Sequence, residues 1–153
     1  MKGILVIITL VVASQAEACI RLKSEVFFTA DETETSVQEF VNFSITVINE
    51  CDYEIPDLGV TNRSKYLKFF VDGKEDNPLS LYNGLESIKG PRVIGVGDSA
   101  NFTVSWTMDD DSGIWMRGDT FQVQWQYMDQ FSWPMFVNLK ARKARPIIRK
   151  EEH

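Results

Sequence analysis

Between Val41 and Val47 every second residue is apolar: Val41, Phe43, Ile45 and Val47 alternate with Asn42, Ser44 and Thr46. The same rhythm returns at Phe102, Val104, Trp106 and Met108, set against Asn101, Thr103, Ser105 and Thr107. It is cleanest at Phe121, Val123, Trp125 and Tyr127, which are separated by Gln122, Gln124 and Gln126. A period of two places alternate side chains on opposite faces of a strand, so each segment reads as a strand with one buried and one wet face. Helical periodicity is nowhere sustained. Weaker strands fit residues 20–28, 66–71, 79–82, 92–96 and 133–139. Turn residues fall between them: Asp72-Gly73, Gly97-Asp98-Ser99 and Gly118-Asp119 each stand at the edge of an apolar run. Seven or eight short antiparallel strands separated by such turns predict an all-β, immunoglobulin-like sandwich.

The chain's start is of another kind. Met1-Lys2-Gly3 is a short basic opening, residues 4–13 are apolar apart from Thr9, and Ala16-Glu17-Ala18 offers small residues for a peptidase. Residues 1–18 read as a secretory signal peptide cleaved after Ala18. The apolar run is about half of the ~20 residues a bilayer-spanning helix requires, so a membrane-spanning chain is not expected. The expected address is secreted, extracellular or periplasmic. A lipoprotein anchored at Cys19 is the lesser alternative, because Ala16-Glu17-Ala18 lacks the aliphatic residue of a lipobox and carries a charge.

What remains divides into a sandwich domain at 19–139 and a basic tail at 140–153, expected to be disordered. Cys19 and Cys51 are the two cysteines, and in an oxidising compartment an even pair reads as one disulfide. If the first strand folds back on the second, the two cysteines meet at the open end of the hairpin. The apolar parity resists this, since Ile20, Leu22, Val26 and Phe28 are even and Val41 to Val47 odd. A bulge near Glu50, or pairing of the first strand elsewhere, would reconcile them.

Residues 19–139 carry nine basic and nineteen acidic side chains, a net −10, whereas residues 140–153 carry six and two, a net +4. An acidic body repels phosphate backbones, so a nucleic-acid partner is not expected. The tail could rest on an anionic surface, and Arg142 to Arg145 has the spacing some processing proteases cut. Catalysis is not expected either: the single histidine, His153, ends a polar tail, and no serine or cysteine nucleophile has a base to activate it. No cofactor is called for. The one loop with metal-binding chemistry is Asp109-Asp110-Asp111-Ser112-Gly113, where Asp109 and Asp111 could hold calcium, although the spacing lacks the closing bidentate acid of an EF-hand and suits a solvated turn. Three sequons, at Asn42, Asn62 and Asn101, fall on predicted wet positions or loops and would accept glycans in a eukaryotic secretory route.

The runs Phe43 to Asn49, Phe69 to Lys74, Gly97 to Trp106 and Gly118 to Val123 resemble the CARDB family of immunoglobulin-like modules associated with bacterial cell-surface adhesion. The resemblance covers roughly Val41 to Asp129, and departs from the family where Asn49-Glu50-Cys51 replaces an Asn-x-Gly turn. The glycine-led strand starts are also similar to those of the BsuPI-type proteinase-inhibitor domain. Both likenesses imply binding: to a protein or glycan at a cell surface in the first case, to a protease cleft in the second. A structural or accessory envelope role is a third reading.

Candidate contacts lie in loops. The connections at 50–65 and 128–132 should emerge at one end of a sandwich, bringing Tyr53, Ile55, Phe131 and Trp133 together. The alternative is that these residues cap the core. At the other end Trp115, within Ile114-Trp115-Met116, either contacts a partner or covers a sheet edge.

Overall fold

The computed structural model describes residues 19–32, 36–57, 66–76, 93–108 and 118–148. The signal segment, the strand expected at 79–82, Asn62, Asp109, Asp111, Trp115 and His153 lie outside the described residues. Eleven strands occur among the described residues: β1 (Ile20–Glu32), β2 (Val37–Asn49), β3 (Ile55–Pro56), β4 (Leu67–Val71), β5 (Lys74–Glu75), β6 (Val93–Ile94), β7 (Ser99–Thr107), β8 (Thr120–Tyr127), β9 (Gln130–Phe131), β10 (Met135–Asn138) and β11 (Lys143–Pro146). They exceed the seven or eight expected because the two-residue strands β3, β5 and β9 have no periodicity to read and β11 lies in the expected tail, whereas β6 falls within the strand expected at 92–96.

Every pairing is antiparallel. One sheet has the order β1-β2-β7, the second β11-β10-β8-β4-β5 with β9 also on β8, and β3 pairs β6 in a small ladder. The three segments with the clearest alternation divide between the main sheets, β2 and β7 in one and β8 in the other. Their apolar faces meet. Phe43 of β2 lies 5.3 Å from Phe69 of β4 and 5.0 Å from Trp106 of β7, and Phe69 lies 4.5 Å from Trp125 of β8. Phe102 stands edge-on to Trp125 at 5.9 Å. These rings are tilted or edge-to-face, the arrangement their quadrupoles favour, and each buries about 150–250 Å². The core of an all-β sandwich is therefore an aromatic cluster joining both sheets.

Between β4 and β5 the predicted Asp72-Gly73 turn is present, with both residues at positive φ (49° and 76°). That is the type I′ combination whose twist matches flanking strands, and glycine adopts it without steric cost.

The parity problem of the first hairpin is resolved without a bulge. Cys19 and Cys51 form a disulfide, but β1 and β2 pair regularly from Ile20↔Asn49 to Glu32↔Val37. In this register Leu22 faces Val47 and Val26 faces Phe43, so even and odd apolar positions share the core face. The Glu50 N–H donates to the Cys19 carbonyl at 2.7 Å, which sets Cys19 beside Glu50, with Cys51 one residue further on. The expectation of a bulge assumed that bridged cysteines sit directly opposite. An offset of one residue satisfies the disulfide, with Cα atoms 4.7 Å apart, and the hydrophobic pattern together.

The tail expectation is also corrected. Residues 143–146 are not disordered but form β11 against β10, from Met135↔Pro146 to Asn138↔Lys143. Asn138 Oδ1 accepts the Ala141 N–H at 2.8 Å and Arg142 takes a positive φ of 49°, turning the chain back after buried Leu139. Ala144 packs on the core, and the Arg145 guanidinium lies 5.5 Å from the Phe136 ring centroid. Lys-Ala-Arg-Pro turns one residue inward, Ala144, which is too small to show in a hydrophobicity pattern.

Candidate functional site

The disulfide end of the sandwich is built around a residue that sequence reasoning passed over. Asn49, fully buried, donates through Nδ2 to the carbonyls of Tyr53 and Ile94, each at 2.9 Å, and to that of Gly95 at 3.0 Å. Its Oδ1 accepts the Cys51 N–H at 2.9 Å, its own N–H reaches the Asp98 carbonyl, and its carbonyl accepts the Gly97 N–H. One amide side chain thus bonds both the turn at residues 95–98 and the disulfide loop, and supplies partners to backbone groups that burial would otherwise leave short of them. The available signal was positional: an asparagine closing a strand one residue before the Glu-Cys pair, where the expected turn glycine is absent.

From here the loop enters β3, and the Tyr127 hydroxyl donates to the Pro56 carbonyl, tying β8 of the second sheet to the loop. Burial pushes the Tyr127 phenol well above its ordinary range, with Asp57 adding in the same direction. Ile55, expected among the contact residues, is only 2% exposed and belongs to the core. Its aliphatic side chain alternates inward in β3, which the loop's acidic neighbours concealed.

Tyr53 is 55% exposed, with its hydroxyl 4.0 Å from Cys19 Sγ. Phe131 is also 55% exposed and rests on Phe70 at 5.7 Å. Trp133 is 62% exposed. The last two sit on a closely bonded connection. Gln126 pairs with Phe131 and Val123 with Met135, so Ser132, Trp133 and Pro134 oppose only Gln124 and Trp125. This is a β-bulge, which twists a strand and re-aims a side chain. Buried Ser132 secures it: its Oγ accepts the Trp125 N–H at 3.0 Å and its carbonyl accepts Gln124 Nε2 at 2.8 Å. Ser24 Oγ of β1 donates to the Trp133 carbonyl at 3.1 Å. No ring pair joins Tyr53, Phe131 and Trp133 to one another among the described residues. Phe131, Trp133 and exposed Met128 share one short connection between β8 and β10, whereas Tyr53 lies on the disulfide loop.

No family model, curated protein or solved structure matches the chain. The geometry therefore carries the functional argument.

Two sequons fall on the outer face of the β1-β2-β7 sheet. Asn42 was expected to be wet but is 5% exposed: its Nδ2 donates to Thr29 Oγ1 at 2.9 Å and its Oδ1 accepts from Ser105 Oγ at 2.6 Å. A short polar residue on a central strand is enclosed by both neighbours, and no room remains for a glycan at that nitrogen. Asn101, on edge strand β7, is exposed, with Nδ2 donating to Ser44 Oγ and Thr46 Oγ1. Among the described residues no group of three or more acidic, histidine or cysteine side chains converges as metal ligands would. No described helix is long and apolar enough to cross a membrane.

A second feature was not foreseen. A cleft of about 650 Å³ runs between β1 and the β10–β11 hairpin, lined by Val26, Phe28, Phe136 and Ala144 and rimmed by Lys143 and Arg145. Arg142, at its end, bonds to Glu39 of β2 through Nε at 2.8 Å and again through its second nitrogen. This pairing holds the Glu39 carboxyl below its ordinary range and raises the arginine. It links the two sheets across the hairpin turn.

Proposed function

We propose that this chain is a secreted, non-catalytic binding module of immunoglobulin type, suited to adhesion through contact with a protein or glycan at a cell surface. The observation that carries the reading is the exposure of Met128, Phe131 and Trp133 along one closely bonded connection. Large apolar groups held in water on a backbone this firmly bonded are a preorganised contact, because little conformational entropy remains to be lost on binding. Strand order supports the immunoglobulin assignment: β1-β2-β7 opposite β4-β8-β10 follows the connectivity of that sandwich, with β5 and β11 as additions. The disulfide suits an oxidising compartment and thereby the export reading.

The test uses immobilised chain and a Phe131→Ala/Trp133→Ala variant, each exposed to cell-surface glycans and to extracellular proteins of the source organism. Retention by the unaltered chain, lost in the variant at unchanged melting temperature, is expected. Equal retention by both would overturn this site. Substoichiometric loss of protease activity on adding the chain, abolished by the same substitutions, would replace adhesion with the inhibitor reading.

A further inference from the structure

The cleft beside β1 exposes a strand edge. Val26, Phe27 and Phe28 line it together. Consecutive side chains of a strand point to opposite faces, so three in a row can bound one cleft only if the edge of the strand faces it. The hydrogen-bond phase agrees. Glu50 donates to the Cys19 carbonyl, so odd residues of β1 bond to β2, and even residues, among them Val26, Phe28 and Ala30, turn their N–H and C=O groups outward. Among the described residues β1 ends its sheet and β11 ends the other, with no ladder between them.

The two edges are guarded differently. On β11 the Ile147 N–H bonds to the Pro134 carbonyl, which turns the backbone groups of Ala144 and Pro146 away from β10, and Pro146 has no N–H to offer. On β1 the charged residues Arg21, Lys23 and Glu25 stand in the first half, and Ser24 fastens the strand to the bulge at Trp133. From Val26 to Ala30 there is neither charge nor proline, and Phe27 is exposed. Soluble proteins usually blunt a long edge with such residues. Here the unblunted stretch coincides with an apolar cleft whose rim, Lys143 and Arg145, is cationic on an otherwise acidic body.

We propose that this cleft receives an extended acidic segment of a partner protein, which adds as a strand to Val26–Ala30 of β1. Its backbone pairs with the outward groups of the even residues, its apolar side chains enter the cleft over Phe28 and Phe136, and its carboxylates meet Lys143 and Arg145. This mode takes affinity from main-chain bonds and specificity from alternate side chains. The inference rests on the binding-module reading but uses a surface other than Phe131 and Trp133.

The test titrates the full chain, disulfide intact, with a capped peptide of alternating glutamate and valine, and with its lysine and valine counterpart. Saturable binding of the glutamate peptide alone is expected, with new amide protection at Val26, Phe28 and Ala30. Binding should weaken by roughly tenfold or more in Lys143→Glu/Arg145→Glu, and also in Phe27→Lys, which places a guarding charge on the edge. All these positions except Val26 and Phe28 are solvent-exposed, and equal melting temperatures would show that the variants fold. Indifference to peptide charge, protection elsewhere, or binding unchanged in both variants would overturn the proposal. A dimer of the chain that Phe27→Lys dissolves would overturn it in favour of a second copy. Phe131→Ala/Trp133→Ala should leave peptide binding unchanged, so failure here and failure of the aromatic site are separable.

Discussion

Two of the junctions between the sheets, among the described residues, differ in kind. At the disulfide end, β2 runs into a loop held by Cys19–Cys51, by the buried bonds of Asn49 and by the Tyr127 hydroxyl on Pro56. At the hairpin side, the junction is the exposed pair of Glu39 and Arg142. Buried amide bonds are expensive to break because the abandoned groups remain dry, whereas exposed ion pairs exchange readily with water and contribute little. The molecule is therefore locked at one end and lightly latched along one edge. The lightly latched edge is the one that borders the cleft.

Asn49→Ala should strike the locked end hardest. It removes the amide's bonds to the carbonyls of Tyr53 and Ile94 and to the buried Cys51 N–H, while Gly95 keeps the Asp98 N–H, and should cost about 4 kcal/mol in denaturant unfolding. A loss near that of a surface substitution would break the comparison.

Cys19→Ser/Cys51→Ser, or reduction, should cost about 3 kcal/mol, because the bridge closes a separation of 32 residues in the unfolded chain. Chemical denaturation with and without reductant measures it. A smaller cost than Asn49→Ala would sharpen the account by assigning the lock to hydrogen bonding ahead of the covalent link.

Tyr127→Phe should cost about 1 kcal/mol near neutrality through loss of its bond to Pro56. It also has a pH signature. The folded phenol titrates above its ordinary value of 10.0, so its contribution is complete below that value and declines as pH rises towards the folded pKa. The phenylalanine variant should lose that part of the alkaline destabilisation, as thermal unfolding across alkaline pH would reveal.

Arg142→Ala is expected to leave the unfolding midpoint almost unmoved. Its effect is on Glu39, whose carboxyl is held low chiefly by the arginine hydrogen bond. Any stabilisation from that pairing is present above the ordinary carboxylate range and fades as pH falls through the lowered value. Carboxyl titration by NMR should move Glu39 upward in the variant, and a clear drop in stability would equate the two junctions.

The sandwich was legible wherever large side chains alternate, as in β2, β7 and β8. Legibility failed where the inward residue is small, as with Ala144, or where a strand is only two residues long, as in β3, which hid Ile55 in the core. The disulfide could be read from the cysteine pair and the hairpin, but its one-residue offset could not, because it depends on register. Of the proposed contacts, Phe131 and Trp133 were readable as a loop pair, while the bulge that presents them depends on Ser132, a residue with no pattern of its own. The cleft escaped because it joins segments more than a hundred positions apart, and its feature of interest is unpaired backbone, which every sequence carries alike.

Amide hydrogen exchange on the full chain tests the contrast between locked and open regions most directly. The amides of Phe43, Ile45, Cys51 and Trp125 should exchange only through global unfolding, while those of Val26, Phe28 and Ala30, turned outward at the cleft, should exchange orders of magnitude faster. Protection at Val26, Phe28 and Ala30 equal to that at Phe43 would mean that the edge is already occupied, and would contradict the account.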